Sequence, residues 1–577
     1  MTRSTEERQV QDRASYVSPR CSLWDKGSSD PRNSCNSLAV CDLVSFDGSE
    51  QLLRGVRLAK VMRGCGNIFR NSKGSASTYQ LSESVSSITY FISHNWAIPR
   101  VAKYLSLAFK FNMYLAMSAG FASLALGFGL GIAGLLPVMQ SETQEYPMGF
   151  ATRMFTIPVI LVTLLFGGDL VCWYCPATNP VMFLDKACIH QEDKALQRAG
   201  ISKLGAFLRA SDKMLVLLTP LYLRKLWTVY EVASFFSVHD LSKLEVLPVM
   251  LPIAFVLFVT LMYGYQFFMV AVHVLGVPSW IHWLVNYLGS LAYLFCLRNW
   301  ARSKVEIQHS IANFSVHKAN CAVESDRELV YQNITALQKA CGRVPKNATV
   351  EQALQVFDEE VRTALSLHFR DVFGRFSFSQ SEYFVIGIVV TGAIHVDHWA
   401  KVGAGQPIRE AVGERSMDLF FQWFAIPLWA LTLEAVAKCY LTPAWLSWKD
   451  ICFTLLGNAF ASCIGNALMV FQLWWASRAK EDDYWLGGAI ALTVIFVSLR
   501  VYVINRYGSL RRCNWNSLAD RLPAHDWSES TSAGEGGPSA SSTNASLDPT
   551  IDLDCVSGDL LDYPAEIVHQ QVLISDV

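Results

Sequence analysis

Several groups of residues in this chain have the types and spacing to do chemistry. Ser93-His94-Asn95-Trp96 closes an apolar run, Ile88-Thr89-Tyr90-Phe91-Ile92, that reads as a strand. Open α/β sheets keep their ligand crevice outside the carboxyl ends of the strands, so Ser93, His94 and Trp96 are candidates to contact a nucleotide. Asp185, Lys186, Cys188 and His190 open a loop after a second apolar run, Val181–Leu184. Asp185 is a further candidate contact, and capping of the next turn is its plain structural alternative. Glu231 shares a stretch with Trp227, Val229, Val232, Ala233 and Phe236, whose spacing marks one apolar face of a helix. Trp227 precedes Glu231 by one turn on the same side and could wall a pocket. The structural alternative for Glu231 is a solvated or salt-bridged helix residue.

Other constellations carry weaker signals. Cys172 and Cys175 form a C-x-x-C, but a hydrophobic stretch precedes it where a redox motif needs a strand, so lipid-facing or palmitoylated thiols fit better. His395 and His398, with Asp397 beside them, offer one metal-binding face or an interfacial cluster, and no metal is assigned. Asp169, Glu434 and Lys438 fall inside apolar stretches, where charge is costly and often functional. Glu434 and Lys438, one turn apart, also suit mutual neutralisation.

The elements that must position these residues alternate. Val181–Leu184 is strand-like, Ile201, Leu204, Phe207 and Leu208 follow at helical spacing, and Met214–Leu218 is a second apolar strand stopped by Thr219-Pro220. The Trp227–Phe236 helix comes next, and Lys243–Leu251 reads as another strand. This order predicts a parallel sheet covered by helices.

The motifs resemble a Toll/interleukin-receptor (TIR) domain. Ile88–Trp96 is similar to the family's first strand, and Phe183-Leu184-Asp185-Lys186 to its second strand and following loop. Ser211-Asp212-Lys213 stands where the third strand begins, and Leu226-Trp227-Thr228-Val229-Tyr230-Glu231 resembles the W-C-x-x-E helix, with Thr228 in place of the cysteine. Cys188-Ile189-His190-Gln191 also resembles the TIR-like fungal incompatibility domains. The resemblance implies an α/β signalling domain over 87–110 and 176–252 that self-associates as a homo-oligomer. Some TIR domains cleave the nicotinamide–ribose bond of NAD, and Glu231 matches their catalytic residue. NAD would then be a substrate, with no bound cofactor. Cleaving that bond makes an oxocarbenium-like ribose, which one fixed carboxylate can stabilise.

Composition points to a lipid bilayer as partner. The 577 residues are 52% hydrophobic and 17% charged, with mean hydropathy +0.26, whereas soluble domains carry about 25% charged residues. Apolar stretches near 112–138, 153–174, 247–272, 279–298, 418–440, 451–475 and 484–505, with a shorter one at 383–398, predict an α-helical multi-pass protein of seven to eight spans. Lysine and arginine crowd 1–110 and 299–381 and are missing from 139–152 and 273–278, which makes the N-terminus, 176–246 and 299–381 cytoplasmic. A membrane hairpin at 111–174 would return the chain to the side it left, so that Phe91 and Phe183 share one sheet. A second hairpin is expected at 247–298, a cytoplasmic helical region at 299–381 and a transmembrane bundle at 382–506.

The flanks are polar. Residues 1–86 are basic and expected to be disordered at the start, with Leu52–Ile68 either on the inner leaflet or a solvated helix. No apolar run follows the opening residues, so no cleaved signal peptide is expected. The 507–577 tail reads as disordered and ends Ser575-Asp576-Val577, which suits a PDZ-type partner. Net charge is −1, which gives no reason to expect nucleic acid. Fifteen scattered cysteines suit reduced thiols. The leading expectation is a membrane-anchored TIR-like protein that signals by self-association and hydrolyses NAD. The alternative is a channel or transporter whose TIR-like segment regulates it.

Overall fold

The computed structural model describes residues 44–136, 138–139, 148–149, 151–174, 179–275, 278–321, 323–373 and 448–481, with isolated positions between 392 and 437 and at 487, 488 and 491. The expected spans near 383–398, 418–440 and 484–505 lie outside the described residues apart from such positions. The candidates Asp397, His395, His398, Glu434 and Lys438 lie outside them too, as do the side chains of Asp169, Cys172 and Cys175 and the PDZ-type ending. The chain divides into two units, 1–441 with 453–514, and 442–452 with 515–577. Of the second unit, Trp448–Cys452 is described, as the start of the helix Trp448–Glu481.

The first unit is built on a six-stranded sheet. In spatial order its strands are Glu83–Ser84, Arg54–Arg57, Val181–Phe183, Ile88–Ser93, Ser211–Leu218 and Leu244–Pro248. The last four run parallel, with Phe91 opposite Phe183 and Met214, and Val216 opposite Val246. Arg54–Arg57 pairs antiparallel on the outer side of Val181–Phe183 and carries the short edge strand. Strands buried on both faces read as unbroken apolar runs. Met214 through Leu218 is such a run, and all five side chains are buried. The helices Leu204–Arg209 and Leu226–Val238 cover it, the latter burying Leu226, Val229, Val232, Phe235 and Phe236.

The link from Ile88–Ser93 to Val181–Phe183 contains a long antiparallel helix pair, Arg100–Ile132 and Ala151–Tyr174. Polar groups tie the pair: Asn112 donates to the Leu164 carbonyl at 2.8 Å, and Tyr104 donates to that of Leu165. Arg100–Ile132 has 33 residues, about 50 Å of helix and longer than the ~30 Å hydrocarbon core of a bilayer. Only 22% of its most apolar window is buried by protein, which separates it from the core helix of a globular domain. Tyr114, Leu126 and Ile132 are exposed along it.

That helix corrects the expected architecture. Among the described residues it is the one helix long and apolar enough to cross a membrane, so the multi-pass bundle of seven to eight spans is not what the structure shows. Apolar windows overcount spans because protein can cover them as well as lipid. Phe155–Gly168 and Met250–Leu261 are the apolar stretches described within the helices Ala151–Tyr174 and Met250–Leu275. The stretch read as 279–298 belongs to one helix, Ser279–Ala312, in which Tyr293, Leu294, Leu297 and Arg298 are buried in protein. The 451–475 stretch sits in the helix Trp448–Glu481.

The 299–381 region joins the sheet domain. Helix Ser325–Ala340 packs on Leu226–Val238, and Val350–Phe373 packs on it in turn. Asn320 exchanges backbone hydrogen bonds with Arg224 and Leu226, and Arg343 donates to the Phe236 carbonyl at 2.8 Å and to Glu360 at 2.8 Å. Leu354, Phe357, Val361 and Leu365 are buried, as their helical spacing predicts.

Leu52–Ile68 is neither a leaflet helix nor a solvated one. It supplies the strand Arg54–Arg57 and the helical segment Leu58–Gly66, with Leu58, Val61, Met62 and Ile68 buried. Its fit against the sheet is tight at Gly55, where an added Cβ would lie 2.2 Å from Val181 Cγ1 and 3.3 Å from Val85 Cγ2. At that distance the Val181 side chain, partly buried, must shift to make room. Gly55→Ala is therefore expected to destabilise this edge by about 1–3 kcal/mol, the usual cost of overpacking. A thermal scan of the variant beside wild type checks it, and an unchanged midpoint would mean that the edge is loosely held.

Candidate functional site

Ser93 ends the central parallel strand, so its side chain emerges at the carboxyl edge of the sheet and is fully buried there. Its hydroxyl donates to Glu231 Oε2 and lies 2.5 Å from the Tyr222 hydroxyl. With the one serine proton committed to the carboxylate, Tyr222 donates to Ser93. Tyr222 follows the strand Ser211–Leu218, and Glu231 lies on the next helix. Thr228 fastens the two pieces, its hydroxyl 2.5 Å from the Tyr222 carbonyl and 2.8 Å from that of Lys225. That tie gives the threonine at the resembled cysteine position a structural use.

Burial sets the protonation of this chain of groups. Glu231 is half-buried by accessible surface, yet its carboxyl has no ion-pair partner among the described residues. Crowding by protein atoms raises its pKa to about 8; the Ser93 hydrogen bond opposes that rise, and the charge of Asp185 adds to it. Burial, then the Glu231 charge, pushes the Tyr222 phenol well above its ordinary range. At neutral pH the resting Glu231 is thus mostly a neutral acid.

A second cluster adjoins the end of the same strand. Trp96 Nε1 donates to Asp185 Oδ2 at 2.9 Å, and the Lys186 amide donates to Asp185 Oδ1 at 2.6 Å. Asp185 therefore caps its own turn while holding the indole. Burial raises its pKa, and these two bonds with Lys103 and Lys186 restrain the rise. Lys103, at the start of its helix and ahead of the apolar span, is fully buried. Its Nζ donates to the Trp96 carbonyl at 3.2 Å and stands 4.5 Å from the centre of the Trp96 ring. Burial brings its pKa down to about 7.

His94 packs edge-on to Trp96 at 4.7 Å and to Phe69 at 5.7 Å. Burial, then Lys103, holds its pKa well below the ordinary histidine value, so it is neutral. Its Nε2 is buried without a hydrogen-bond partner among the described residues. Buried polar atoms are almost always paired, so this nitrogen has hydrogen-bonding capacity that the described residues do not use.

The remaining candidates have structural contacts. Trp227 donates from Nε1 to Asp326 at 3.3 Å and packs on Tyr230 at 6.0 Å, so its indole engages the Ser325–Ala340 helix rather than the Ser93–Glu231 pair. Cys188 is buried, and burial pushes its thiol up to about 12, which leaves it inert. His190 Nδ1 accepts from the Asp193 amide at 2.9 Å, just ahead of the helix Lys194–Ser202. Tyr222, Lys103 and Phe69 were not singled out in the sequence. Tyr222 had a usable signal, since it lies just past the carboxyl end of a predicted parallel strand; Lys103 and Phe69 had none.

A cavity of about 560 Å³ is lined by Lys186 but by none of Ser93, His94, Trp96, Asp185, Tyr222 and Glu231. Compared with described protein families, curated proteins and solved structures, the chain matches none.

Proposed function

We propose that this chain is a membrane-anchored, self-associating signalling protein of TIR type that hydrolyses the nicotinamide–ribose bond of NAD at Glu231. The observation that carries the reading is the Tyr222–Ser93–Glu231 chain at the carboxyl edge of the parallel sheet. In support, a carboxyl with a raised pKa, and no ion-pair partner among the described residues, lies at the edge where open sheets commonly bind nucleotides. The orphaned Nε2 of His94 supplies a free acceptor on the same strand end. The helix Arg100–Ile132 supplies the anchor.

The chemistry follows from charge. The nicotinamide ring of NAD is cationic, and a cation brought beside Glu231 favours the ionised carboxylate, so substrate entry expels the proton. The glycosidic C–N bond then breaks, its electron pair leaving with nicotinamide, which becomes neutral. Positive charge moves to the ribose as an oxocarbenium, which the Glu231 carboxylate stabilises. Water adds at that carbon and loses a proton, giving nicotinamide and ADP-ribose. Ser93 and Tyr222 orient the carboxyl, while Asp185 holds Trp96 as a wall.

Because the free protein must give up the Glu231 proton, kcat/KM is expected to rise with pH and level off above about 8. NAD consumption by the purified full chain, from about pH 6 to about pH 9.5, reads the profile. A flat profile would remove Glu231 ionisation from the mechanism. Repeating the assay at rising protein concentration reads self-association as an increase in turnover per chain.

A further inference from the structure

We propose that the cavity between Lys60 and Lys186 binds a multiply phosphorylated anion of the inositol polyphosphate kind, either free or as a lipid headgroup. Lys60, Arg63, Arg70, Lys73 and Lys186 all line it, and no aspartate or glutamate does. Its ~560 Å³ suits a small ligand rather than a macromolecule.

Lys186 lies in the field of Asp185, and three of the other charges have no counter-charge paired with them among the described residues. Arg63, Arg70 and Lys73 are exposed and have no carboxylate partner among the described residues, whereas nearby Arg57 pairs with Glu83 at 3.0 Å. Lys186 is buried, and its ammonium donates to the Ile68 carbonyl at 3.2 Å and to Asn71 O and Oδ1 at 2.9 and 3.0 Å. With its three protons used, it shapes the loop and adds positive potential to the lining without offering a donor. Lys60 similarly donates to the Leu81 carbonyl at 3.0 Å. Five like charges around one concavity repel one another until an anion enters, and clustered arginines favour phosphate oxygens over weaker anions.

The backbone is specialised as well. Gly64, Cys65 and Gly66 follow one another at φ of +61°, +54° and +70°, a left-handed run that a non-glycine residue such as Cys65 adopts only under strain. A Cβ at Gly66 would stand 3.3 Å from Tyr104 Cβ, so the run is packed on the first turns of Arg100–Ile132. The basic cavity therefore sits beside the N-terminal turns of Arg100–Ile132, the one helix among the described residues long and apolar enough to cross a bilayer, which would suit a lipid headgroup as its ligand.

The test uses detergent-purified full chain and fluorescent inositol trisphosphate, read by anisotropy at low and moderate salt. Saturable binding is expected, weakened by salt and by Arg63→Gln/Arg70→Gln/Lys73→Gln by about tenfold or more. Those side chains are exposed, so near-ultraviolet circular dichroism should not change. The same charge loss at Lys194, Arg198 and Lys225, outside the cavity, should leave binding as it was. Short-chain phosphatidylinositol bisphosphate competing better than the free trisphosphate assigns the site to lipid, and the reverse order assigns it to a soluble ligand. The proposal falls if no saturable binding occurs at low salt, if the cavity variant binds like wild type, or if inorganic phosphate competes equally well. No NAD enters this assay, so its outcome is separate from that of the proposed reaction at Glu231.

Discussion

Glu231→Gln is expected to lower NAD cleavage by roughly a hundredfold or more, the usual loss when a charge facing a developing cation is removed from a closed site. The substitution keeps shape, and glutamine can still accept the Ser93 hydrogen bond, so the Tyr222–Ser93 chain has no reason to collapse. Folding supplies an independent check. The native pKa of Glu231, about 8, lies above its ordinary value of 4.5, so the folded chain holds this proton more tightly than the unfolded one. Its contribution to stability is fully present below about pH 4.5 and is lost as pH rises through about 8. His94 and Lys103, whose pKa values are lowered, act with the opposite sign, but they are common to both proteins. The melting temperature of Glu231→Gln should therefore fall less steeply across that window than that of wild type. Unchanged turnover would move the chemistry to another residue. Turnover absent from both proteins would leave the buried carboxyl a structural role in an assembly domain.

What the sequence reveals here depends on how locally each element is determined. The strands at Ile88–Ser93, Val181–Phe183, Ser211–Leu218 and Leu244–Pro248 fall in runs that were readable because burial on both faces demands consecutive apolar residues. Arg54–Arg57 and Glu83–Ser84 are too short to carry a period, and tertiary pairing alone makes them strands. The helix Val350–Phe373 showed its periodicity in the sequence, but neither its packing on Ser325–Ala340 nor that helix's packing on Leu226–Val238, about a hundred residues upstream, was readable there. Membrane spans were overcounted for a related reason. Hydropathy measures the wish to leave water, and the 279–298 stretch satisfies it in part against protein, where Tyr293, Leu294 and Leu297 are buried.

The site shows the same division. Ser93 and Glu231, 138 positions apart, meet because each sits at the carboxyl edge of its unit, a place that strand order fixes in advance. Trp96 and Asp185 meet likewise, 89 positions apart. Trp227 does not join them, since its helix has a second partner, Asp326, that no local pattern announced. Lys103 was invisible because a buried lysine is defined by what surrounds it, here Trp96 and Phe69.

Phe183→Ala is expected to be the most damaging single substitution in the sheet. Phe183 is 1% exposed, stacked on Phe91 at 4.5 Å and tilted against Phe207 at 4.4 Å, and Phe207 meets Phe46 at 5.0 Å. One aromatic side chain thus joins a strand entering from before the helix pair, a strand leaving it, and a covering helix. Truncating a buried phenylalanine typically costs about 3–5 kcal/mol, because neighbouring rings cannot close the cavity. In a cooperative unit of about 150–250 residues that corresponds to a fall of about 6–20 °C in the transition. Phe183→Leu refills most of the volume and should cost less than half as much. The loss should reach the site, because Asp185 lies two residues on and its bond to Trp96 depends on this strand staying in register beside Ile88–Ser93. Thermal scans of the two variants in detergent, with NAD turnover followed on the same samples, measure both effects. A Phe183→Ala protein that melts like wild type would show that Val181–Phe183 does not hold the two halves of the sheet together.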